Sequence, residues 1–146
     1  MIVHPPGGLV GGDTLDLQFQ VACGANGLVT TPGATRFYRS DGKPALQRTR
    51  LAVAAEARLE WLRLEAIAYS GCQAENQLTM TLETGTELIG WDITALGLPA
   101  AGQRFAGVNP ANWQAGLPSI LNCLACGSNA PASTQVTTCY STARWG

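Results

Sequence analysis

Residues 15–21 (LDLQFQV) alternate strictly between apolar and polar side chains. Leu15, Leu17, Phe19 and Val21 fall on one side, and Asp16, Gln18 and Gln20 on the other. That period of two predicts a strand with one buried face. Gly24, Asn26 and Gly27 supply turn chemistry after it. Residues 28–31 (LVTT) are rich in β-formers and stop at Pro32-Gly33. Residues 34–40 (ATRFYRS) predict another strand, closed by Ser40-Asp41-Gly42 as a hairpin turn. Residues 77–84 (QLTMTLET) alternate as clearly, and residues 86–94 (TELIGWDIT) put Ile89, Trp91 and Ile93 on one face. Strands recurring about every 8–12 residues with turns between them predict a mainly β chain: a sandwich, barrel or solenoid.

Residues 54–69 (AAEARLEWLRLEAIAY) fit two patterns. They hold no Gly or Pro, and Leu59, Leu62, Ala66 and Tyr69 fit helical spacing, so the pattern alone favours a helix. Leu59 with Trp61, and Ile67 with Tyr69, fit strand spacing instead.

Composition changes this picture in one place. The chain has 146 residues, the size of one ordinary domain, and 13% of them are charged. All ten acids lie at or before Asp92, and eight of the nine bases at or before Arg104. Residues 106–146 hold a single charge, Arg144. The break divides the chain into a body, residues 1–105, and a tail, residues 106–146, expected to carry little regular structure. A net charge of −1 excludes a basic nucleic-acid footprint. No apolar run is long enough to cross a membrane as a helix, and the start lacks the pattern of a signal peptide.

Candidate chemistry is sparse. Gly7-Gly8 and Gly11-Gly12 lack the spacing of a dinucleotide loop and read as tight turns. His4 is the only histidine, which excludes a catalytic triad or a His-rich metal cage within one chain. The cysteines number five: Cys23, Cys72, Cys123, Cys126 and Cys139. The odd count argues against a disulfide framework, and one C-x-x-C (Cys123, Cys126) is too little for a zinc site. Glu60, Glu65 and Asp92 lie beside apolar residues. They admit an acid–base pair, but solvated strand faces account for them more simply.

Five blocks in order carry a resemblance: HPPGGLVGGD (4–13), TTPGATRFYRS (30–40), LEWLRLEAI (59–67), GWDI (90–93) and LGLPAAGQRF (96–105). Together they resemble the urease accessory protein family UreD, also called UreH, over about residues 2–105. Family members are about twice as long, so the chain is expected to be the middle of such a protein, cut at both ends. The tail is expected to be foreign, arising from a frame shift near Phe105. Three positions depart from the family pattern. Arg63 stands where Pro is usual, and Leu98 and Gln103 stand where charged residues are usual. The family's Pro opposes a helix interior, so the resemblance turns the reading of 58–69 from helix to strand.

The resemblance implies a non-enzymatic, cytoplasmic chaperone for nickel insertion. It implies an elongated β-helix-like array with little helix. Its implied partners are UreF, through UreF the GTPase UreG, and the urease apoprotein. No cofactor is expected to be tightly bound, and nickel contact is expected to be transient. The polar members of the matched blocks are the candidate nickel path: His4, Asp13, Thr30, Thr31, Glu60, Glu65 and Asp92. Gly7, Gly8, Gly11, Gly12, Gly33, Phe37, Tyr38, Arg39, Trp61, Trp91, Arg104 and Phe105 are expected to be structural. Two other readings are a free-standing β-rich binding module and a truncated fragment without function. A small hydrolase would need converging carboxylates with shifted pKa values.

Overall fold

The computed structural model describes residues 1–3 and 7–97, together with the strands of 119–126 and 134–140. The described residues form ten strands and no helix. The chain winds in successive coils that stack side by side. The first coil is β1 (Thr14–Val21), β2 (Asn26–Thr30) and β3 (Thr35–Phe37). The second is β4 (Ala45–Val53), β5 (Arg58–Leu62) and β6 (Ala66–Ala68), and the third is β7 (Ala74–Leu82) and β8 (Glu87–Leu96). Corresponding strands pair in parallel. Thr14 lies opposite Leu46 and Asn26 opposite Arg58, an offset of 32 residues in both sheets. Ala45 lies opposite Ala74 and Arg58 opposite Glu87, an offset of 29 in both. Equal offsets on the two sides define a flattened β-solenoid, in which each coil buries its apolar edge against the next.

Two sheets face each other. One runs β1-β4-β7-β10, and the other contains β2, β5 and β8 with β3 and β6. β8 spans the length that β5 and β6 share below it. Its first half pairs β5, and Thr94 to Leu96 pair β6. β9 (Ser119–Cys126) adds antiparallel to β8, and β10 (Thr134–Tyr140) antiparallel to β7. The 106–146 segment thus supplies a strand to each sheet, more regular structure than its composition predicts. At the opposite end, Leu9 bridges Phe37, and the Ile2 amide donates to the Thr30 carbonyl.

The 54–69 stretch is two strands, as the resemblance requires and the helical spacing does not. They break at 63–65. Ser40–Gly42 is a corner rather than a hairpin, because β3 and β4 lie in different sheets. The sequence pattern misses β4 altogether. Its inner face reads Ala45, Gln47, Thr49, Leu51, Val53, and two polar residues conceal the period.

Corners repeat with the coils. Gly24, Glu56 and Gly85 occupy the turn between the two sheets in successive coils, with φ of +67°, +57° and +78°. This left-handed conformation suits glycine and strains Glu56. The inner faces form two apolar clusters. The larger holds Leu51, Val53, Leu59, Trp61, Leu78, Met80 and Leu82. Trp61 is fully buried and meets Phe19 edge to face at 5.5 Å. Gly90, its register partner on β8, makes room for it. The smaller cluster gathers Leu9, Phe37, Ala45, Ala66, Ala68 and Cys72.

Candidate functional site

A polar seam separates the two apolar clusters. Each contributing strand crosses it at the same level. Gln47 and Thr49 lie between Ala45 and Leu51 on β4, Arg63 between Trp61 and Ala66, and Asn76 just before Leu78 on β7. Asp92 follows the inward Leu88 and Gly90 on β8. Arg63 and Asp92 are each only 4% exposed, so a full cation and a carboxyl sit inside the solenoid.

The break between β5 and β6 turns Arg63 inward. Its carbonyl accepts from the Trp91 indole at 2.7 Å, and its guanidinium lies over the Trp61 ring, 5.6 Å from the centroid. Nη2 donates to Thr35 Oγ1 at 3.3 Å. The Gln47 amide is assigned with its oxygen toward Arg63, since the other orientation sets donor against donor. In that orientation it accepts from Nη1 at 2.9 Å and from Nη2 at 2.7 Å. The same amide edge is 3.1 Å from Asn76 Oδ1, and Asn76 Nδ2 is 3.2 Å from Asp92 Oδ2.

These contacts couple amide orientation to proton occupancy. If Asn76 donates to an ionised Asp92, its own oxygen meets the Gln47 oxygen. If Asn76 is turned, it donates to Gln47, and its oxygen accepts a proton held by Asp92. Every contact is then satisfied. Burial pushes the Asp92 pKa up, against the smaller downward pulls of Arg63 and of the Asn76 amide. Burial likewise lowers the Arg63 pKa, and Asp92 opposes that. Thr49 Oγ1 and the Trp61 indole nitrogen are buried nearby on the same inner faces and have no hydrogen-bond partner.

The sequence-derived candidates are dispersed. Asp92 is in the seam, so the expectation of a solvated face fails there: β8 turns Leu88, Gly90 and Asp92 inward and Ile89 outward. Thr31 is close by and accepts from the Leu64 amide at 3.1 Å. Thr30 ends β2. Asp13 caps an exposed turn, accepting from the Val10 amide at 3.0 Å. Glu60 is half-exposed on the outer face beside Arg58, and the Glu65 carbonyl accepts from the Thr35 amide. His4, Arg104 and Phe105 lie outside the described residues. Among the described residues no three His, Cys, Asp or Glu side chains converge as metal ligands. Cys123 and Cys126 are on β9, in register with Trp91 and Leu88.

Gly8 packs its backbone against the Tyr38 ring, with the Arg36 carbonyl 2.8 Å from where a Cβ would sit. Gly7 and Gly12 have positive φ, and Gly11 is crowded by Ser40 and Lys43. Phe37 is buried, while Tyr38 is partly exposed and packs on Tyr69 at 5.3 Å. Arg39 lies against Gly71, and nothing in the structure explains Gly33.

Residues 1–114 match the sequence model of the family described as UreD urease accessory protein. The chain belongs to the UreD family. A urease accessory protein UreD from Polaromonas sp. (strain JS666 / ATCC BAA-500) is 76% identical over 106 residues, 73% of this chain and 38% of the relative. The UreD proteins of Polaromonas naphthalenivorans and Paracidovorax citrulli are 74% and 71% identical over the same length, again 38% of each relative. The chain therefore spans under two fifths of these UreD relatives. The family match also runs nine residues past Phe105, the last residue of the motif blocks that carry the resemblance. Sequence motifs lead to the UreD family but not to the seam. Gln47 and Asn76 belong to none of the matched blocks, and only the pairing of β4 with β7 brings them together.

Proposed function

We propose that this UreD segment serves urease maturation as a non-catalytic scaffold for nickel insertion, working in the cytoplasm with UreF, through UreF with the GTPase UreG, and with apo-urease. The observation that carries the reading is the 76% identity to a urease accessory protein across 106 residues.

The physical character of the chain supports a scaffold. Its outer sheet face carries apolar residues that a lone soluble strand face would not need. Leu28 is 57% exposed and Ile89 is 47% exposed, and in register they flank Glu60. Large exposed apolar patches mark partner surfaces, and Leu28 and Ile89 are the positions where one is sought on this face. The dispersed polar candidates suit brief contacts with a metal in transit, because a tight cage would retain it. His4, Asp13, Thr30, Thr31, Glu60, Glu65 and Asp92 remain the residues to vary for nickel handling in the assembled complex.

The test is co-purification with UreF. A chimera with residues 1–114 of this chain in place of the matching segment of the Polaromonas protein should retain UreF. Loss of UreF from a folded chimera contradicts the scaffold role. The isolated 146-residue chain, lacking most of the relatives' length, is expected to be poorly soluble and to hold UreF weakly.

A further inference from the structure

Arg63 has no directly bonded ionic partner among the described residues. It is buried, yet no carboxylate among the described residues lies within ion-pair distance of it. Its partners are a hydroxyl and an amide oxygen, both neutral. A guanidinium carries five N–H donors, and Thr35 and Gln47 leave some of them unused. Among the described residues Asp92 is the only other buried ionisable group of the seam, and two amides stand between it and Arg63. Asp92 supports this cation only across two intervening amides, so the unused N–H donors stay open to the oxygens of an anion.

There is room for one. A cavity of about 250 Å³ lies against Arg63 and Gln47. Thr31, Thr35 and a second cation, Arg36, line it as well. Leu15 and Leu17 from β1, with Ile2, add apolar lining. Pro32, Gly33 and Arg36 are exposed at its rim, which opens it to solvent. The lining thus combines cationic and hydrogen-bonding groups with hydrocarbon. That polarity matches an anion carrying a short apolar tail. The planar fork of a guanidinium pairs with two oxygens of one carboxylate.

We propose that this cavity binds a short-chain aliphatic carboxylate, its oxygens on Arg63 and its alkyl chain against Leu15 and Leu17. No bond is made or broken in it.

Butyrate is the probe, and butanamide is its neutral counterpart of nearly equal shape. Calorimetry and thermal melting are run on the 146-residue chain fused to a solubility tag. Butyrate is expected to bind saturably and raise the melting temperature, and butanamide is expected to do neither. Arg63→Met should weaken butyrate by about tenfold or more. Leu17→Phe keeps the charge but crowds the apolar lining. It should weaken butyrate while acetate binding stays the same, and it decides the matter if Arg63→Met fails to fold. Equal binding of butyrate and butanamide overturns the proposal. So does undiminished butyrate affinity in a folded Arg63→Met or Leu17→Phe variant, or no saturable binding at all.

Discussion

Arg63 and Asp92 share one buried seam but are not paired directly; the amides of Gln47 and Asn76 stand between them. This relationship makes the seam sensitive to the proton on Asp92. An unfolded aspartate titrates near pH 4, about 3.9, and burial raises Asp92 above that in the fold. The folded state therefore holds the proton more tightly. The stability contribution is fully present below the unfolded value and is lost as pH rises through the folded one. Asp92→Asn imitates the protonated form. It should remove this pH dependence and be at least as stable as the parent at pH 7, as read from urea midpoints at pH 4.5 and 7. A strongly destabilised variant at pH 7 would mean that Arg63 needs the carboxylate charge.

The corner stack predicts opposite signs at two neighbouring positions. Glu56 holds a left-handed conformation that its counterparts Gly24 and Gly85 adopt without strain. Glu56→Gly should be neutral or stabilising by up to about 1 kcal/mol. Gly85→Ala should destabilise by about 1 kcal/mol or more, since a side chain at φ +78° is strained and its Cβ would meet the Glu56 carboxylate. Chemical denaturation of both variants checks the pair.

The larger core depends on one residue and the space left for it. Trp61→Ala should cost about 3–5 kcal/mol, because a fully buried ring leaves a cavity. Gly90→Ala should cost about 1–3 kcal/mol by overpacking. Its Cβ would sit 3.0 Å from the Trp61 Cβ and 3.1 Å from the Trp61 carbonyl oxygen, and backbone cannot yield as a flexible tip can. Loss of the near-ultraviolet tryptophan signal at lower urea reads both effects.

Ile89→Arg and Leu28→Arg change the exposed outer face and leave the core untouched. In the chimera, each should shift stability by no more than about 0.5 kcal/mol while lowering the amount of UreF recovered. Full recovery with both substitutions combined would move the partner surface elsewhere.

The strands whose inner face is wholly apolar were legible from alternation alone. β1 shows Leu15, Leu17, Phe19 and Val21, and the structure adds only Thr14. β4 was invisible because Gln47 and Thr49 face inward. The polar seam that makes the site interesting is the same feature that erased the period. β8 was found, yet its apolar residues Ile89 and Trp91 do not face the inner side, which holds Leu88, Gly90 and Asp92. Alternation locates a strand, but it cannot say which face is covered when both carry apolar residues. The solenoid itself is written in no residue-level repeat. It emerges from pairing offsets of 32 and 29, which only a folded chain displays.

Urease activity in cells lacking UreD distinguishes a working scaffold from an inert segment. Residues 1–114 of this chain replace the corresponding segment of the Polaromonas relative, and nickel-dependent urease activity is assayed in extracts. Restored activity near that of the unaltered relative is the predicted result. A soluble, folded chimera that leaves urease inactive would contradict the role assigned to this segment.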